Sequence, residues 1–269
     1  MSGSSELRFG GTRRLYGALG VEALQQAHVC VVGIGGVGSW VVEALARSAV
    51  GEITLIDLDD LCITNTNRQI HALTETLGQS KVAVMADRVR AINPDCQCHQ
   101  IEELVTEENA RALFDKPFDY VIDAIDDVRA KAAMIATCHR RKLPIITIGG
   151  AGGQIDPTQV QVADLSRTLH DPLAAKLRSH LRRFYNFTSN PKRRFDIPCV
   201  FSTEQLRYPQ ADGSVCAQKA VAEPGQGMRL DCASGFGASS CVTATFAFVA
   251  VARVIDKLIE RSERLAVAR

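Results

Sequence analysis

Residues 29–50, VCVVGIGGVGSWVVEALARSAV, constrain the fold of this chain more than any other stretch. Gly33, Gly35 and Gly38 are spaced G-x-G-x-x-G between a short β-branched apolar run and a helical pattern. In a strand–turn–helix unit the first glycine permits the tight turn, the second lets backbone approach a phosphate, and the third lets helix and strand pack closely. Backbone N–H groups at the helix N-terminus then face the anion. Asp57 ends the next apolar run, ITLID, and is placed to accept a hydrogen bond from a ribose hydroxyl. The motif reads as a nucleotide site. On its own it leaves a redox dinucleotide and a nucleotide that is broken in the reaction both open.

The same alternation continues along the chain. Apolar runs at 29–33, 53–57 and 119–123, and the IITIG run after Pro144, read as strands. Segments 39–49, 80–92 and 127–141 read as helices, with Ser80 as an N-cap and Asn93-Pro94 as a stop. Strands alternating with helices of this length predict an α/β fold: a Rossmann-like, doubly wound, mostly parallel sheet with helices on both faces, plus a smaller C-terminal extension. The expected organisation is an N-terminal helical arm over 1–28, a nucleotide-binding unit over 29–153, and a substrate-binding and dimerisation part of the same domain over 154–269. In that last part a strand is expected at 160–163 and helices at 172–184 and about 238–261, with 185–230 rich in Pro, Gly and polar residues.

Composition narrows the classes. A formal net charge of +1 means that any nucleic-acid partner must be met by a local basic patch. Nine cysteines, an odd number, behind an N-terminus without an apolar leader point to reduced thiols and a cytoplasmic protein. Residues 232–252 carry no charge, but five Ser/Thr and two Gly among them favour a buried helix. A membrane-associated C-terminal helix is the lesser alternative.

The run DLDDLCITNTNRQ, residues 57–69, tilts the reading away from hydride transfer. It supplies Asp59, Asn65, Asn67, Arg68 and Gln69 past the strand's C-terminal end, where ligands bind in such sheets. Phosphoryl or nucleotidyl transfer needs such groups because negative charge builds on phosphate in the transition state. Lys81 offers a second cation, and Asp123 or Asp126 offers oxygen for Mg²⁺. Each has a plainer reading: Arg68 as a surface ion pair, Lys81 as a solvated helix residue, Asp126 as a helix cap. Their order at successive strand ends is harder to explain that way.

GIGGVGS, LIDLDD, NTNRQ, GQSKV and DAIDD, in that order, resemble the ubiquitin-activating-enzyme superfamily, the ThiF/MoeB-like proteins. The resemblance implies an enzyme that adenylylates a carboxylate with ATP and Mg²⁺. It implies an ATP site that includes Gly33, Gly35, Gly36 and Gly38, with Gly35 and Gly36 at the phosphates and Asp57 at the ribose. Asp59, Asn67, Arg68 and Lys81 would surround the triphosphate, with Arg68 and Lys81 catalytic and Asp126 the Mg²⁺ ligand. It further implies a homodimer in which an N-terminal arginine reaches the partner's nucleotide. RFGGTRRLYG offers Arg14 for this role, with Arg13 and Arg8 as alternatives.

Members that activate sulfur carriers usually hold zinc with two CxxC pairs. This chain has no CxxC pair, and CQCH at 96–99 has the wrong spacing, so no zinc is expected. Instead, residues 172–194 hold Lys176, Arg178, Arg182, Arg183, Lys192, Arg193 and Arg194, no acid, and interleaved Phe184, Tyr185 and Phe187. Cations neutralise phosphates and aromatics stack on unpaired bases, although a solvated basic helix face gives the same pattern. With IPCVFSTEQ and GFGASSC, the whole chain resembles the branch that dehydrates N6-threonylcarbamoyladenosine in tRNA. That branch implies tRNA as partner through these seven basic residues, and a sulfur-acceptor protein of the cysteine desulfurase system. A monovalent cation at SGFGASS, residues 234–240, is left open. The alternative activity is adenylylation of the C-terminus of a ubiquitin-like sulfur carrier. The activity on tRNA needs no enzyme thiol, and Cys232 and Cys241 are the candidates if one exists.

Overall fold

The computed structural model describes residues 3–210, 212–217 and 236–267. Its sheet is built from β1 (His28–Val32), β2 (Glu52–Ile56), β3 (Gln97–Ile101), β4 (Tyr120–Asp123), β5 (Ile145–Ile148), β6 (Val160–Asp164) and β7 (Pro198–Ser202). The strand order is β3-β2-β1-β4-β5-β7-β6, parallel throughout except for β6, which runs antiparallel to β7. The order reverses between β1 and β4, and this opens a crevice at their C-terminal ends. The predicted doubly wound sheet is thus observed.

β1, β2, β4 and β5 are near-continuous apolar runs because helices cover both faces of the sheet. One face carries α3 (Gly38–Arg47), α4 (Lys81–Ile92) and α8 (Ser240–Val267) over Val29, Val31, Ile53 and Leu55. The other carries α5 (Ala110–Leu113), α6 (Val128–Arg141) and α7 (Pro172–Phe184) over Cys30, Val32, Ile56 and Val121. In α8, Val242, Phe246, Ala250, Val254 and Leu258 recur every fourth residue and all are buried, so the uncharged C-terminal stretch is core. No helix among the described residues is long and apolar enough to cross a membrane. A short hairpin, β8 (Tyr208–Pro209) and β9 (Val215–Cys216), follows β7.

The N-terminal arm is α1 (Gly3–Arg8) and α2 (Gly10–Gln26), the latter kinked at Gly17, whose φ is +75°. It lies at the end of the sheet away from the crevice. Arg8 donates to the carbonyl of Ile92 at the far end of α4 (3.4 Å), and Gly20 packs on Ile259 late in α8.

Two local expectations are revised. Ser80 sits at the N-cap of α4 but does not cap it; its hydroxyl donates to Glu102 at 3.0 Å. The helix after β4 is capped by Asp127, which accepts from the Ala130 N–H at 2.8 Å. Asp126 is therefore not consumed as a cap.

Candidate active site

The glycine loop closes β1 onto α3. Gly33 has φ +84°, and a Cβ there would lie 2.8 Å from Ile125 Cγ2 and 3.0 Å from the Ala124 backbone. A Cβ on Gly38 would lie 1.7 Å from the Gly33 carbonyl oxygen. These two glycines are required by the turn and by the close approach of α3. Gly35 is different: a Cβ there would meet nothing nearer than Gln69 Nε2 at 3.9 Å. Gly35 and Gly36 are the half-exposed members of the loop, so their backbone is what a ligand meets at the N-terminus of α3.

Asp57 stands beside this loop and shapes it. Its carboxylate accepts from the Ile34 N–H at 2.6 Å and from the Asp59 N–H at 2.9 Å. Arg68 lies across the loop, with its Cδ 3.1 Å from where a Gly36 Cβ would be. Its guanidinium donates to the Thr64 carbonyl and to Asn67 Oδ1, both at 2.9 Å. Both acceptors are neutral, and among the described residues Arg68 makes no ion pair; its charge stands over accessible glycine backbone. Trp40 Nε1 donates to the Arg68 carbonyl at 2.9 Å, and Asn67 Nδ2 donates to the Ala238 carbonyl at 2.9 Å. The arginine is thereby tied to α3 and to the chain entering α8.

Lys81 is buried rather than solvated, and its Nζ meets Asp59 Oδ2 at 2.7 Å. The segment after β2 and the start of α4 form one wall through this pair. Gln69 and His71, on the same segment, are also buried, and neither His71 ring nitrogen has a hydrogen-bond partner among the described residues. Burial, with Lys81 and Arg88 nearby, drives the His71 imidazole down to about 4, so it is neutral.

The second wall follows β4. Asp123 is fully buried and accepts from Thr147 Oγ1 at 2.6 Å and from Lys131 Nζ at 3.0 Å. Burial pushes its carboxyl up against the opposing pull of Lys131 and these hydrogen bonds. The same Nζ donates to the Ile125 carbonyl at 2.9 Å. A buried ion pair is weak evidence for stability but fixes geometry. Here it holds the turn that touches Gly33 and leaves Asp126 exposed at its tip. Asp123 is therefore structural, and Asp126 is the carboxylate that faces outward. Sequence reasoning missed Lys131, which looks like an ordinary helical residue. Its signal is an eight-residue offset from Asp123 across a strand–turn–helix.

A third segment closes the crevice. Asp171 caps α7 and accepts from the Gly150 N–H at 2.9 Å, and Glu204 accepts from the N–H groups of Ile155 and Asp156 at 3.0 and 2.8 Å. Gly153, φ +75°, packs under Phe236, and its N–H donates to the Gly237 carbonyl at 2.8 Å. Cys241 is exposed in the first turn of α8; Cys232 and the start of SGFGASS lie outside the described residues.

The basic segment divides. Lys176, Arg183, Lys192, Arg193 and Arg194 are exposed. Arg178 instead donates to Thr168 Oγ1, and Arg182 donates to the Thr188 carbonyl and stacks over Phe195 at 5.4 Å. Of the aromatics, Phe184 is exposed, whereas Phe187 packs on Phe195 and Tyr185 donates to Glu107. α7 starts beside Gly150 at the crevice end and runs its length of about 20 Å toward the other end of the sheet. The basic loop after it is thus remote from the glycine loop. Among the N-terminal arginines, Arg14 is exposed and Arg13 pairs with Glu6 at 3.3 Å. The arm places both, like Arg8, at the end of the sheet away from the crevice of their own chain.

A glycine-loop helix N-terminus, an arginine with neutral contacts over it, a buried lysine and an outward carboxylate, all at the switch point of a doubly wound sheet, define a nucleotide-binding enzyme class. The chain belongs to the ThiF family, which matches residues 11–267. It is 56% identical to the tRNA threonylcarbamoyladenosine dehydratase of Escherichia coli K12 over 257 residues, which is 96% of this chain and 95% of that protein. The counterpart in Haemophilus influenzae is 55% identical, covering 95% of each. The structure of the Escherichia coli enzyme in complex with ATP superimposes with a TM-score of 0.86, at 49% identity and 98% coverage of both chains.

Proposed function

We propose that this chain is an ATP-dependent dehydratase of N6-threonylcarbamoyladenosine in tRNA. The observation that carries the proposal is Arg68, half-buried, whose guanidinium lies on Gly36 at a helix N-terminus and has only neutral hydrogen-bond acceptors among the described residues. That arrangement suits a phosphate chain. ATP, consumed as a substrate, lies with its phosphates against the backbone of Gly35 and Gly36, in the loop that Gly33 and Gly38 shape. The Asp57 carboxylate, already fixed by two backbone N–H groups, offers its remaining lone pairs to the ribose. Lys81, held by Asp59, and Asn67 complete the surround.

Mg²⁺ fits the donor set, because Asp126 offers hard oxygen on an exposed turn and leaves room for retained waters. When bound it neutralises charge on the triphosphate. The threonyl carboxylate oxygen bonds to the α-phosphorus and pyrophosphate leaves, with Arg68 and Lys81 balancing the developing charge. The base's own urea group then bonds to the activated acyl carbon and AMP leaves. Closing a ring within one molecule carries a large effective-molarity advantage, so no enzyme nucleophile is required. Carboxylate activation with net loss of one water matches the acid and urea groups of that nucleoside.

The exposed cations Lys176, Arg183, Lys192, Arg193 and Arg194 hold the tRNA backbone at the far end of the sheet, while the modified base enters the crevice. Two copies complete each site, with Arg14 donated from the partner's arm. Leu7, Leu15 and Leu19 are 88%, 74% and 70% exposed on that arm and offer apolar surface for a second copy to cover. A sulfur-acceptor partner has no step in this chemistry and rests on the resemblance alone.

The test is to incubate the protein with MgATP and tRNA from a strain lacking this activity, then weigh the digested nucleosides. Loss of one water from the modified nucleoside, with AMP and pyrophosphate formed, is the expected result. Arg68→Ala lowers turnover at least about 100-fold, the scale of losing a transition-state charge contact. Pyrophosphate exchange that depends on a small carrier protein and not on tRNA overturns the proposal in favour of carrier activation.

A further inference from the structure

At the end of the sheet opposite the crevice, three strands bring two imidazoles and a carboxylate together. His28 opens β1, Glu52 opens β2 directly beside it in the parallel register, and His99 on β3 pairs with Thr54. All three point to the same face of the sheet, since His28 shares a face with Cys30, Glu52 with Thr54, and His99 with Ile101, and Cys30, Thr54 and His99 are register partners. His28 Nδ1 lies 3.3 Å from Glu52 Oε1, and His99 Nε2 lies 2.9 Å from the same oxygen. One ligand atom from each residue falls within 4.8 Å of the others.

We propose that His28, Glu52 and His99 form a binding site for a zinc-class divalent metal ion, with three protein ligands and a fourth position open to solvent. Two histidines and one glutamate with a free position are an established donor set for zinc. Zinc–ligand bonds of about 2.0–2.2 Å set neighbouring donor atoms about 3.3–3.5 Å apart in a tetrahedron. The two separations to Glu52 are already close to this. His99 is on the edge strand with its side chain 48% exposed, so a small rotation of that ring closes the triangle and leaves the open side toward water.

The surroundings fit ligation. The His28 nitrogen that faces away, Nε2, is 2.8 Å from Thr54 Oγ1, the outer-shell hydrogen bond that orients a metal-binding imidazole. Phe118 packs edge-on against the same ring at 4.8 Å and holds its plane. Asp119 accepts from the His28 backbone N–H at 2.9 Å and adds negative charge nearby. The absence of CxxC pairs argues against a thiolate site only. It does not bear on three residues assembled by strand register. A bound ion would staple β1, β2 and β3 at the end of the sheet remote from the nucleotide.

The full-length protein is stripped with chelator, then titrated with Zn²⁺ and, separately, with Co²⁺ as a spectroscopic probe. The expected result is one ion per chain, a Tm that rises with Zn²⁺, and a cobalt spectrum with d–d bands but no thiolate charge-transfer band. His99→Gln, on the exposed edge strand, keeps the metal-free Tm while weakening affinity at least about tenfold, the scale on which even outer-shell partners act. Glu52→Gln does the same. Absence of saturable binding, binding unchanged in both variants, or a thiolate band that survives them overturns the proposal.

Discussion

Single side chains in this protein carry two readable predictions. Cys62 is exposed beside the nucleotide wall, and the Thr64 hydroxyl donates to its sulfur at 3.3 Å, which lowers the thiol below its usual value. Burial pushes Cys96 and Cys138 up to about 12 and raises Cys30 and Cys199 as well. The thiolate is the reactive form, so Cys62 is expected to be the first of these five to be alkylated at neutral pH. MgATP slows that reaction, because the Cys62 N–H is bound to Asn65 two residues before Asn67. Site-resolved mass spectrometry decides it; labelling of Cys96 or Cys138 ahead of Cys62 contradicts the assignment. His71 gives the pH dependence. The unfolded ring takes a proton near 6.5 and the folded one only near about 4, so between these values the unfolded state binds more protons. The stability contribution is complete above the unfolded value and is lost as pH falls toward the folded one, about 3 kcal/mol over the whole window. Urea unfolding at about pH 7.5 and about pH 5 should show about 2 kcal/mol of this loss in the wild type and little of it in His71→Leu. Equal losses in both would place the acid sensitivity elsewhere.

At the scale of elements, legibility followed locality. The glycine loop, the acid ending β2, the apolar strands and the helices between them are short-range patterns, and each lies within a residue or two of its expected place. β7 is harder to see, because its short apolar run PCVFS opens on a proline inside a stretch otherwise rich in Pro, Gly and polar residues. Lys81 reads as solvated in sequence because its partner, Asp59, lies 22 residues earlier, across the loop between β2 and α4. The Asn67–Ala238 contact and the His28–Glu52–His99 cluster join residues that only sheet register or chain return brings together. Segment 172–194 shows the limit of counting charges, since two of its seven cations are spent inside the fold. Neutralising Lys192, Arg193 and Arg194 together should weaken tRNA binding and reduce the slope of log affinity against log salt by about 2. ATP-dependent pyrophosphate release, measured with the short modified nucleoside in place of tRNA, should be unchanged. Arg178→Ala, by contrast, should lower Tm through the lost Thr168 contact and leave the salt slope nearly as it was. An unaltered slope in the triple variant would assign that loop a solvated face and move the tRNA track elsewhere.

For the whole molecule, the positions of its two ends decide how many chains make one site. The glycine loop, Arg68 and Lys81 are at the C-terminal ends of β1, β2 and β4, whereas α1 and α2 hold Arg14 at the other end, with Arg8 anchored on Ile92. On the proposed reading, an N-terminal arginine in this position serves the crevice of a second copy, reached across the exposed leucines beside it. Arg68→Ala and Arg14→Ala are each expected to be nearly inactive as homodimers. When the two are mixed, unfolded together and refolded, a heterodimer contains one crevice with native Arg68 that receives native Arg14 from its partner. Activity should return to about a quarter of the wild-type level, because half of the dimers are mixed and each holds one intact site. Leu15→Asp should abolish both the dimer and this recovery while leaving the chain folded, since that side chain is on the surface. If the mixture stays as inactive as its parents although heterodimers have formed, each crevice draws both arginines from one chain, and the arm must then adopt a different position when nucleotide binds.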